Sequence, residues 1–140
     1  EQALVFCRET EDLSAEGATL NNLGSAYHAL DKMQEALDYY KQALILRRDM
    51  GDRPAEAITL WNIGSLFFSQ ERYEPSLAAL FLAQRTFEDV LSPDRETVQE
   101  WIDALHQAVG DEAFTSLQKD IELRAVPILQ QALHAEANSG

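Results

Sequence analysis

The sequence predicts an all-α protein: an α-solenoid of antiparallel helix pairs, closed by a less regular C-terminal capping helical segment. The first observation behind this is an internal repeat. Leu20, Leu23, Gly24, Tyr27, Ala36, Tyr40 and Ala43 recur about 40 residues later as Leu60, Ile63, Gly64, Phe67, Ser76, Leu80 and Ala83. The second is helical spacing of the apolar residues within each copy. The third is a glycine in the middle of each first helix. Glycine there costs about 1 kcal/mol against alanine, so its recurrence implies close approach of a neighbouring backbone.

The elements follow in order. Residues 1–10 superpose on residues 41–50, with Gln2 on Gln42, Ala3 on Ala43, Leu4 on Leu44 and Arg8 on Arg48. Residues 1–11 are therefore expected to be the second helix of a truncated preceding repeat, in a longer native array. Residues 12–51 form the first full repeat. Its first helix, over 14–30, carries Ala18, Leu20, Leu23, Tyr27 and Leu30. Asp31 reads as an N-cap with Gln34 completing a capping box. The second helix, over 32–49, places Ala36, Leu37, Tyr40, Ala43 and Leu44 inward, the alanines allowing close approach and Tyr40 filling the gap.

Residues 52–91 form the second repeat. Gly51 suits the position just past a helix end, and Pro54 a first turn. Thr59, Leu60, Asn62, Gly64 and Ser65 keep the register of Thr19, Leu20, Asn22, Gly24 and Ser25. In the partner helix Pro75 sets the start near Glu74 and Ser76 takes the small position. Leu77, Leu80, Phe81, Leu82, Phe87, Val90 and Leu91 exceed what one face needs, which predicts burial on two sides. The motif decays over 92–140. There Val98, Trp101, Ile102, Leu105 and Val109 are expected inward, Ala104 stands in the glycine place, and Pro127 kinks the last helix. Residues 94–136 suit the atypical end unit that a solenoid needs.

The spacing of these two copies resembles the tetratricopeptide-repeat family. The long period is similar to the variety in kinesin light chains and bacterial, especially cyanobacterial, arrays. The resemblance implies a right-handed superhelix whose concave face is lined by the first helix of each pair and takes a partner's extended peptide or short helix. By that resemblance the groove positions are Ala18, Asn21, Asn22, Ser25, His28 and Ala29, then Ile58, Trp61, Asn62, Ser65, Phe68 and Ser69. The in-register Asn22 and Asn62 offer amide donors and acceptors to a ligand backbone, or to each other's repeat. Trp61 and Phe68 suit an aromatic anchor, although Trp61 equally suits packing on the cap and His28 a solvent-facing position. None of these positions is Lys or Arg, which argues against the carboxylate-clamp subclass.

The formal charge is −13 and the pI near 4.4. Such a field disfavours nucleic acid and anionic membranes and favours neutral or basic partners, though a solvated helical surface accounts for it equally. No run reaches the roughly 18 apolar residues of a membrane span, and no leader resembles a signal peptide. The lone Cys7 forms no internal disulfide, and a reducing cytoplasm is the default. His28, His106 and His134 share no metal-ligand spacing with Cys7, and no phosphate loop or nucleophile motif occurs. No cofactor, metal site or catalytic residue is expected. The functional expectation is a non-catalytic protein-interaction module. Capping, self-association through apolar surface near Leu4 and Val5, or service as a regulatory arm of a larger signalling protein or peptidase are the alternatives.

Overall fold

The computed structural model describes the backbone of residues 2–139 and the side chains of residues 12–134. It holds α1 (Gln2–Ala29), α2 (Met33–Met50), α3 (Arg53–Ser69), α4 (Tyr73–Asp89), α5 (Asp94–Val109) and α6 (Asp111–Ser139). No strand occurs among the described residues, and no helix is long and apolar enough to cross a membrane. The turn expected between residues 11 and 14 is absent, because α1 runs unbroken from Gln2 to Ala29. The side chains of Leu4, Val5 and Cys7 lie outside the described residues.

The turns are where local sequence departs most from expectation. Asp31 is not an N-cap. It sits in the left-handed region (φ 61°) just past α1, while Lys32 precedes α2 without any side-chain cap bond. The Asp31 amide donates to His28 O at 3.0 Å and the Lys32 amide to Tyr27 O at 2.9 Å. This is a Schellman closure, which satisfies carbonyls at the end of α1 rather than amides at the start of α2. The same pair of bonds recurs around Gly51, Glu71 and Leu91, evenly spaced along the chain. Gly51 adopts φ 73° without a side chain to strain, whereas Glu71 (58°) and Leu91 (57°) do so against their Cβ. Leu91 is also 79% exposed, so its side chain contributes little packing in return. Leu91→Gly is therefore expected to raise the unfolding free energy by about 1 kcal/mol, read from a shift in urea midpoint at constant slope.

Within each pair the mid-helix glycine sets the approach distance. A Cβ on Gly24 would lie 2.5 Å from Tyr40 Cδ1, and one on Gly64 would lie 2.8 Å from Leu80 Cγ. Ala36, Ala43 and Ala83, all fully buried, keep the facing helix equally close. Ser76 Oγ donates to the Gly64 carbonyl at 2.7 Å, so the buried hydroxyl is satisfied by the backbone that the missing side chain leaves accessible.

Between pairs, α3 packs on α2, its Thr59, Ile63 and Leu66 are fully buried, and Thr59 bonds to Arg47 of α2. The equivalent positions on α1, Thr19, Leu23 and Ala26, are all exposed, and Leu30 one turn further on is 66% exposed. Successive first helices touch, α1 with α3 and α3 with α5, whereas no Cα of α2 comes within 8 Å of one in α4. The stack therefore curves, with α1, α3 and α5 on its inner side.

Into the outer gap goes α6. It packs chiefly on α4 and reaches α2, where Lys41 Nζ donates to Leu133 O at 3.2 Å. This second cover explains the apolar excess of α4, in which Ser76 through Leu80 are all buried. The kink in α6 falls at Arg124 (φ −140°, ψ 27°), one turn before Pro127, where the proline ring displaces the helix and its missing N–H leaves a carbonyl unbonded. In α5 the residues expected inward are buried (Val98, Ile102, Leu105) or partly buried against the core (Trp101, Val109), but the glycine place is not kept. Val98, Ile102 and Leu105 are buried against α4 with the spacing of Thr59, Ile63 and Leu66. Burying these branched residues turns Ala104 outward to solvent, so it does not serve as the glycine equivalent.

Candidate inner-face site

The inner face is built from the exposed sides of α1, α3 and α5, and much of its polar chemistry braces the repeats. Asn21 is 8% exposed, and its Oδ1 accepts from Asn62 Nδ2 (3.1 Å) and from Thr59 Oγ1 (3.2 Å). Thr59 Oγ1 in turn accepts from Arg47 Nη1 at 2.9 Å, and the same guanidinium nitrogen reaches Ala55 O at 3.1 Å. The chain Arg47–Thr59–Asn21–Asn62 thus ties α2 to α3 and α3 to α1. Burial lowers the Arg47 pKa from its ordinary value, and the Asp52 carboxylate opposes that shift.

Ser25 and His28 are also committed. Ser25 Oγ lies 2.9 Å from the Tyr40 hydroxyl, whose ring occupies the space above Gly24. Burial raises the Tyr40 pKa, with the Ser25 bond opposing it. His28 Nε2 lies 3.1 Å from Ser69 Oγ, and Ser69 Oγ donates to Ser65 O at 3.1 Å. With its proton given to the backbone, the Ser69 oxygen accepts from His28, which assigns the proton to Nε2. Burial lowers the His28 pKa against an opposing pull from Asp31. His28 is a clasp between α1 and α3, not a purely solvent-facing residue.

What remains directed outward is Asn22, exposed, with Trp61, Ser65 and Phe68 half-buried and Ala18, Ala29 and Ile58 exposed. Trp61 stands edge-to-face on Phe87 with centroids 6.4 Å apart, so its ring is part core and part surface. Phe68 meets both Tyr73 and Trp101 edge-to-face at 5.7 Å. Asn22 and Asn62 do not form a matched ladder, because Asn62 turns to Asn21 on the neighbouring helix. Trp101 was not among the expected groove residues. The apolar spacing of α5 predicts it inward, and it is partly buried against the core.

A family model described as Tetratricopeptide repeat matches residues 15–89, more than half of the chain. The chain belongs to the tetratricopeptide-repeat family. Searches of curated proteins and of solved structures each returned no match. The tetratricopeptide match runs from the second half of α1 to the end of α4 and stops before α5. Members of this repeat family are protein-interaction modules, and no group of three or more His, Cys, Asp or Glu placed to hold a metal occurs among the described residues.

Proposed function

We propose that this tetratricopeptide protein binds an extended segment of a partner protein along the inner face of α1, α3 and α5, without catalysing a reaction. The observation that carries the reading is the row of Asn22, Trp61, Ser65 and Phe68. It places an exposed amide and two half-buried aromatic rings on one curved surface whose remaining polar groups already hold the helices together. Aromatic rings fixed by packing bind with little further loss of side-chain entropy. The charge of −13 favours a segment that carries Lys or Arg.

The test is a lysate pull-down read by mass spectrometry, comparing wild type with Asn22→Ala/Trp61→Ala of unchanged helicity. Asn62 is left intact because its amide braces α1. A partner held by wild type and reduced at least tenfold in the variant supports the groove. A partner held equally by both overturns it. A second reading draws on the exposed α1 side of Leu23 and Leu30, which suits a second copy of this chain. A mass in light scattering that stays monomeric at all concentrations rejects that reading.

A further inference from the structure

Next to Phe68 the inner face opens into a hollow of ≈ 270 Å³ between α3 and α5, lined by Phe68, Glu100, Trp101 and Ala104. Its walls are pre-set. Phe68 is held edge-to-face by Tyr73 on one side and Trp101 on the other, with interplanar angles of 77° and 89°. The floor is open because α5 buries Val98, Ile102 and Leu105 and so turns the small Ala104 outward. Three of the four lining residues are apolar, and the fourth, Glu100, carries a carboxylate at the rim of this shallow, open hollow. Along the same helix α5 carries Asp94, Glu96 and Asp103 against Arg95, with His106 in its last turn.

We propose that this hollow takes an arginine side chain from the bound partner segment. The inference rests on the inner-face reading and names the residue that face selects. Arginine is the side chain whose parts match the lining. Its methylene stem suits the apolar walls, and its planar guanidinium can lie on an aromatic face while donating two parallel hydrogen bonds to a carboxylate. A purely apolar side chain would leave Glu100 beside a desolvated surface without a counter-charge. An acidic one would meet it with repulsion. Lysine fits the stem but offers a point charge with no plane to stack, so it ranks below arginine.

The test is a titration of the 15N-labelled protein with three heptapeptides of one Gly/Ser host sequence whose central residue is arginine, citrulline or lysine. Citrulline keeps the shape and removes the charge. The arginine peptide is expected to shift the Trp101 indole and Ala104 resonances. Citrulline should bind at least tenfold more weakly, and lysine should fall between. Glu100→Gln should reduce the arginine affinity about tenfold, and Ala104→Leu, which fills the hollow from an exposed position, should abolish the Trp101 shift. Asp120→Asn, an equal loss of charge on exposed α6, should change affinity less than twofold. Equal binding of arginine and citrulline, or equal effects of Glu100→Gln and Asp120→Asn, overturns the proposal. Shifts confined to Asn22, Trp61 and Ser65 overturn it while leaving the inner-face reading standing. No shift anywhere on α1, α3 or α5 removes both.

Discussion

Phe67→Ala is expected to lower the unfolding free energy by about 3–5 kcal/mol, the range for removing a fully buried phenylalanine from a core that cannot close around the gap. Phe67 is 0% exposed, on the side of α3 that meets α4. Its surroundings are already close-packed by the Gly64–Leu80 approach, which leaves no slack for neighbouring helices to move inward. Its loss also reaches the turn, because the Arg72 guanidinium lies 4.8 Å from the ring centroid, although the Phe67 carbonyl would still accept from the Arg72 amide. The residue thus links the helix interface to the closure that orients α4. In a stack where each unit leans on its neighbours, a defect in the central pair weakens both sides. Urea unfolding followed by far-UV circular dichroism measures this. A loss under 1 kcal/mol would mean that α3 and α4 repack freely, contrary to the glycine-set geometry.

The paired helices were legible because the constraint that makes them is local and repeated. A glycine opposite a bulky residue and two small residues fixes where two helices cross, and Gly24–Tyr40 and Gly64–Leu80 carry that constraint in the sequence. The whole inner set of α2, from Ala36 to Leu44, is buried for the same reason. What misled was the turn chemistry. Asp31 has the side chain of a cap and Gln34 the spacing of a capping box, yet the backbone uses Asp31 to end α1. The competing Schellman closure leaves no composition signal at three of its four occurrences, because Asp31, Glu71 and Leu91 are not glycines. The path of α6 was also beyond local reading. It depends on a gap between α2 and α4 that exists only once the stack curves.

The inner face was partly legible for the opposite reason. Register identifies which positions share a side of a helix, but not which side chains are consumed by their neighbours. Asn21, Ser25, His28 and Asn62 are expected from register as groove residues, and each is engaged in a hydrogen bond that crosses to another helix. Those partners are 15 to 41 residues away along the chain, so no spacing rule within one helix reveals them. Trp101 joined the face because α5 rotates to bury Val98, Ile102 and Leu105, a choice made by packing against α4.

Leu129→Asp is expected to release the second half of α6 from α4 and α2 while leaving the helix pairs folded. Leu129 is 3% exposed, and Ile121, Ala125, Ile128 and Ala132 extend the same buried stripe. A carboxylate placed there without a partner would cost about 3–5 kcal/mol if the helix stayed docked. The kink at Arg124 offers a cheaper response, since the segment beyond it can undock as a unit, and the stability lost is then limited to what that segment contributes. Hydrogen exchange read by mass spectrometry separates the two responses. Exchange should rise at least tenfold over residues 125–134 and over the outer side of α4, with α1 and the first half of α2 unchanged. Leu123→Asp, at a position 85% exposed one residue before the kink, should leave the pattern as in wild type. Uniform acceleration through all helices in Leu129→Asp would instead show that α6 and the stack unfold as one cooperative body. The outer strap would then be part of what holds the curve, because α6 packs on both α4 and α2, whose Cα atoms do not come within 8 Å of each other.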